Sequence, residues 1–98
     1  MTREQRESLD RYEFLLERLV RGDITASAFE SEFLHRFKTE ELALPVDAFN
    51  ILDALFGDVD AFCSDPNQRG PDDLGEEELL RSVKSALQKL RTLKEHGA

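Results

Sequence analysis

The sequence predicts an all-α fold, an antiparallel up-down four-helix bundle. Apolar residues recur at helical spacing in four separate stretches, no stretch shows the strict alternation of a strand, and the intervening segments are short enough to favour antiparallel neighbours. The 98 residues suit one domain, spanning 1–98. At that size folding removes roughly 60–68% of the unfolded chain's surface from water, so a core can form without disulfide or metal staples.

The first helix is expected over about residues 4–21, where Leu9, Tyr12, Leu16, Leu19 and Val20 form one buried stripe and Phe14 falls off it. Its surface charges are spaced to pair at i, i+4: Arg3 with Glu7, Glu7 with Arg11, Glu17 with Arg21. Gly22 is placed to end it in a left-handed conformation. Thr25 is the expected N-cap of the second helix, about 26–38, with Ile24 and Phe29 forming a hydrophobic staple. Phe29, Phe33 and Phe37 line up at i, i+4, i+8 and read as core. The third helix is expected over about 45–63, with Pro45 at the first helical position and Pro66 closing the element. Its apolar arc holds Phe49, Leu52, Leu55, Phe56, Val59, Phe62 and Cys63. NQRGPDDLG, residues 67–75, reads as a loop. Leu74, Gly75 and Glu78 then supply a staple residue, an N-cap and a capping glutamate for the fourth helix, about 76–95. That helix carries Leu79, Val83, Ala86, Leu87, Leu90 and Leu93 on one face, with acids at its start and bases later, matching the helix dipole.

Charge is distributed unevenly. Residues 1–39 sum to −1, residues 40–78 to −11 and residues 79–98 to +4, within a net charge of −8. Such acidity argues against direct contact with a nucleic acid, whose phosphates select basic surfaces. No stretch approaches the roughly 20 apolar residues of a membrane span. The charged start MTREQRESLDR lacks the apolar segment of a signal peptide, and a single cysteine, Cys63, excludes an internal disulfide. A cytoplasmic location is the expectation.

Catalytic and metal chemistry find little support. An EF-hand loop started at Asp58 would have Asp60 at position 3, but it meets Phe62 at 5, Cys63 at 6 and Arg69 at 12, where oxygen ligands, glycine and glutamate are needed. His35 is expected on the side of helix two opposite the phenylalanines, His96 lies near the C-terminus, and Cys63 points to the core arc as a small hydrophobe. No nucleophile–base pair and no phosphate-binding glycine loop is evident, so no enzyme activity, cofactor or metal is expected.

The informative feature is the surface of helix three. Asp53 and Asp60, seven residues apart, stack about 10 Å from each other on one flank of the apolar arc, with Asp47 and Asp58 on the other. Between them the outward strip is Asn50, Ala54, Gly57 and Ala61, all small, where a partner could come close to the helix backbone. Asp65, Asp72, Asp73 and Glu76 to Glu78 continue the negative field, and Arg69 is placed to clamp the loop acids. Solubility alone could explain acids, but helix one shows this chain pairing its surface charge, and concentrated unpaired charge acts mainly by steering an oppositely charged partner. Three readings stay open: an inhibitor of a basic protein, an acidic adaptor or nucleic-acid mimic for some basic host protein, and a helical module that self-associates.

The order RGDITASAFESEFLHRF, then FNILDALFGDVDAFCSDPNQR, then an acidic stretch into EEELLRSVKSALQKL resembles the colicin D-type immunity proteins, within the wider group of bacterial self-protective colicin-like immunity proteins. The most specific part is ILDALFGDVDAFCSDP, residues 51–66. The resemblance implies a non-catalytic bundle that binds the nuclease domain of a cognate toxin; a monomer, with no direct nucleic-acid or membrane contact, is the expectation. That toxin is typically a tRNA-cleaving ribonuclease of a colicin or contact-dependent inhibition system, whose basic cleft the acidic face covers in place of RNA. By position that role falls to Asp53, Asp58, Asp60 and Asp65, which match the motif, and extends to Asp72, Asp73, Glu76 and Glu77, in a segment the family varies. Phe62 and Phe14 are the candidate apolar anchors.

Overall fold

The computed structural model describes residues 2–40, 44–62 and 75–96. Four helices follow one another: α1 (Arg3–Arg21), α2 (Ala26–Lys38), α3 (Val46–Asp60) and α4 (Glu76–His96). They form a closed ring in which α1 packs on α2 and α4, and α3 packs on the same two. Paired side chains run in opposite senses across two seams. Asp10 meets Lys94 while Glu17 meets Arg91, and Tyr12 meets Phe37 while Arg18 meets Glu32. Short connections between helices produce this ordering.

Local chemistry explains the helix ends. Thr2 caps α1 by accepting from the Gln5 amide at 3.1 Å, and the Gln5 side chain accepts from the Thr2 amide at 2.9 Å, a reciprocal capping box. At the other end Gly22 takes φ 80°, with Gly22 N–H on Leu19 O and Asp23 N–H on Arg18 O, the paired bonds of a Schellman motif. Thr25 caps α2 through the Ala28 amide at 3.1 Å, and Ile24 packs on the core beside buried Phe29, completing the staple. Thr39 closes α2 by donating its hydroxyl to His35 O at 2.8 Å. Gly75 donates its amide to the Glu78 carboxylate at 2.8 Å, as the start of α4 requires. Leu74 lies outside the described residues.

Two expected boundaries move. Pro45 is the N-cap of α3, at φ −54° and ψ 143°, rather than its first helical residue; no side chain caps this end, and a proline there forfeits no helical bond. The helix ends at Asp60 rather than Cys63, because Phe62 N–H turns back to Val59 O and tightens the last turn. Cys63, Pro66 and Arg69 lie outside the described residues.

The core is one continuous cluster fed by all four helices, from Leu9, Tyr12 and Leu16 through Phe29 and Phe33 to Leu52, Val59, Leu79 and Leu90. Aromatic rings form its spine: Phe29 stacks on Phe33 at 5.6 Å, Phe33 on Phe37 at 6.0 Å, Phe37 on Phe49 at 5.8 Å, and Tyr12 meets Phe33 edge-on at 6.1 Å. Leu15 and Ala48 join the core although the stripes passed over them, while Val20 is half-buried and Phe49 stays 47% exposed. Phe62, 6% exposed, is core and therefore not an anchor for a partner; Phe14, 56% exposed, is outside it.

Candidate functional site

Each polar group of the bundle can be assigned either to folding or to something else. Beside the core, Ser8 Oγ and Tyr12 OH both donate to Glu40 Oε2, at 3.0 and 3.2 Å, tying the exit of α2 to α1. Burial, and then the neighbouring Glu40 charge, push the Tyr12 phenol well above its ordinary value of 10.0. On the α1/α4 seam Arg91 reaches Glu13 at 3.1 Å and also Glu17, and Lys94 reaches Glu13 at 2.6 Å and also Asp10. Burial alone would lower the Lys94 pKa, but its bonds to Asp10 and Glu13 outweigh that and hold it above the usual lysine range. Arg3 pairs with Glu7 and Arg21 with Glu17, as their spacing predicted, although Glu7 turns to Arg3 rather than on to Arg11. These charges belong to the fold.

Among the described residues the α3 carboxylates have no such partners. Asp53 and Asp60 are exposed, and Asp58 is half-buried; among the described residues none of the three forms an ion pair. Lys38 of α2 lies over the Phe56 ring of α3, its Nζ 6.0 Å from the ring centre. Asp58 and Asp60 also occupy the last turns of α3, which carry no base. The helix C-terminus is the negative end of the dipole, so an acid there is unfavourable by about 0.3–1 kcal/mol, less where water screens it. The sequence accepts that unfavourable placement twice within three residues.

Glu76 and Glu77 are different. They are exposed in the first turn of α4, at the positive end of its dipole, where acids assist folding whatever else they do. Asp58 and Arg81 line one end of the α3/α4 seam and Asp47 and Leu93 the other, so Asp58, Asp60, Glu76 and Glu77 share one end of the bundle, with Asp53 about two helical turns along. Asp65, Asp72 and Asp73 lie outside the described residues. No three carboxylate, histidine or cysteine side chains among the described residues converge as metal ligands would.

The strip between the acid rows has the expected form. Asn50, Ala54 and Gly57 are exposed and Ala61 is half-buried. A Cβ built on Gly57 would meet nothing within 4 Å, so the bundle's own packing does not require glycine there. A helix-interior glycine is less stable than alanine by roughly 0.5–1 kcal/mol.

One part of the surface escaped the sequence reading. The Asp58 flank of α3 is not open ground but one wall of a groove against α4, whose other wall carries Arg81 and Lys89. The signal was present as Arg81, Ser85 and Lys89, spaced i, i+4, i+8 along one edge of α4, but these bases had been credited to the helix dipole. The Ser8–Tyr12–Glu40 cluster was likewise missed, although Ser8 stands one turn from Tyr12 on the buried stripe.

Residues 7–90, most of the chain, match the family model described as bacterial self-protective colicin-like immunity. No curated protein and no solved structure matches the chain. None of the described helices is long and apolar enough to cross a membrane.

Proposed function

From the premise that the chain belongs to the bacterial self-protective colicin-like immunity family, we propose that it neutralises its cognate toxin by laying the carboxylates of α3 over the basic, nucleic-acid-binding cleft of a nuclease domain. Asp53, Asp58 and Asp60 stand in for phosphates of the RNA backbone, held on a rigid helix so that little order has to be created on binding. Asp65, Asp72 and Asp73 of the following segment, and Glu76 and Glu77 of α4, extend the negative field. Opposed fields accelerate the encounter and reject partners of the wrong sign. The action is that of a plug in the cytoplasm, with no bond made or broken by this chain.

The observation that carries the reading is the position of Asp58 and Asp60 at the negative end of α3, forming no ion pair among the described residues, in a molecule that pairs the charges of its α1/α4 seam. Folding gives no reason to keep them. The experiment is to co-express Asp58→Lys/Asp60→Lys with the cognate toxin. Growth protection is expected to disappear while the thermal midpoint holds or rises, since lysines suit that helix end. Full protection by a folded double variant would end the proposal.

A further inference from the structure

The groove between α3 and α4 carries more than one sign of charge. Two cavities of about 520 and 580 Å³ lie along it and share Ile51, Ser85 and Lys89, so they form one continuous trough. It runs from the Asp58/Arg81 end to the Asp47/Leu93 end, eleven residue steps along α3 and so about 16 Å long. The floor is apolar and low, with Ile51, Leu55 and Ala86, and the small Ala54 and Ser85 keep the rims from closing over it. Asp47 and Asp58 stand on the α3 wall and Arg81 and Lys89 on the α4 wall. Among the described residues, none of these four forms an ion pair with another residue. Further along the same helix, Arg91 and Lys94 reach carboxylates of α1, so α4 cations do pair when an acid is within reach.

Resting on the reading that the partner is a toxin domain, we infer that this trough receives an amphipathic helix of that domain, with bases facing α3 and acids facing α4. Three turns of helix match the trough's length, and a narrow apolar ridge would fit between rims built of alanine and serine. The arrangement makes the interface selective. A toxin surface that is uniformly basic satisfies Asp47 and Asp58 but meets Arg81 and Lys89 with like charge, so a cognate toxin has to supply acids opposite α4.

Adding negative charge to α4 separates this from a purely acidic decoy, because the two predict opposite signs. The test measures binding of Arg81→Glu/Lys89→Glu to the purified C-terminal domain of the cognate toxin. The trough inference expects affinity to fall at least about 30-fold, and a decoy alone expects unchanged or tighter binding. Ser85→Trp, which fills the shared middle of the trough without changing charge, is expected to weaken binding comparably. Thermal unfolding identifies any variant that has lost its fold, and Arg81→Gln/Lys89→Gln replaces the first variant in that event, with a loss of about 10-fold expected. Undiminished binding by folded charge and Trp variants overturns the inference while leaving the acidic-face proposal intact. Failure of the wild-type chain to bind the domain overturns both. If sedimentation instead finds a wild-type dimer that Arg81→Glu/Lys89→Glu dissociates, the trough's occupant is a second copy and the toxin helix is excluded.

Discussion

On one side of α4, Arg91 and Lys94 reach Asp10, Glu13 and Glu17 of α1; on the other, Arg81 and Lys89 face Asp47 and Asp58 of α3 across a trough and, among the described residues, form no ion pair. The two seams share a helix and a similar inventory of charge, and they are packed from the same core. Their difference is therefore not a consequence of composition. Glu13 and Lys94 are held at 15% and 18% side-chain exposure, sheltered enough for their attraction to count. The α3 acids are spread over both flanks of a helix. One seam is finished within the chain, and on the function proposed above the other is finished by a partner.

The largest effect that could break this contrast is on binding. Asp58→Lys/Asp60→Lys is expected to weaken the toxin complex by at least about 100-fold, roughly 3 kcal/mol, as measured by calorimetric titration, with no loss of thermal midpoint. If it unfolds the protein, the open seam was structural after all. The paired seam should respond the other way. Glu13→Ala leaves both Arg91 and Lys94 short of a carboxylate and is expected to lower stability by about 1–2 kcal/mol in urea titration, between the values for exposed and buried pairs. Toxin binding by the folded fraction should be unchanged.

A third test probes a polar cluster completed entirely within the fold. Tyr12 is the one tyrosine and the chain has no tryptophan, so phenolate absorbance reports a single group. Because its folded pKa is raised above the ordinary 10.0, the unfolded chain loses this proton first as pH rises. Stability contributed by Tyr12 is complete below pH 10.0 and is expected to decline above it by up to about 1.4 kcal/mol per pH unit. Phenolate absorbance should then appear together with loss of helix. A phenol that ionises near pH 10 in the intact bundle would show that Tyr12 is not held as described. The smallest expected effect is Gly57→Ala, a gain of roughly 0.5–1 kcal/mol, or about 4–8 °C per kcal/mol in midpoint for a domain of this size. A loss of stability would mean that the bundle itself needs the glycine.

Much of the fold was legible because helices announce themselves locally. Gly22, Thr25 and the Gly75–Glu78 pair act within five residues, and the phenylalanines of α2 repeat at the helical period, so neighbouring positions contain the whole signal. Helix α3 was less legible at its ends, where Pro45 is permissive rather than decisive and a tightened turn stops the helix before Pro66. The acid rows on α3 could be placed from 100° per residue alone. That Asp58 faces cations across a trough could not, because the far wall comes from residues 23 and more positions away. Glu40 is a similar case: nothing near it in sequence reveals that Ser8 and Tyr12 will donate to its carboxylate.

By itself, then, the sequence determined four amphipathic helices, their caps, the aromatic spine and an excess of carboxylates midway along the chain, since periodicity and capping are short-range and charge is simply inherited. The closing of those helices into a ring decided which charges would be neighbours. That ring brought Arg91 and Lys94 to the acids of α1, made Phe62 core instead of anchor, and set the Asp58 flank of α3 opposite Arg81 and Lys89. Ion pairing and groove formation depend on distances between helices, and only packing in three dimensions sets those.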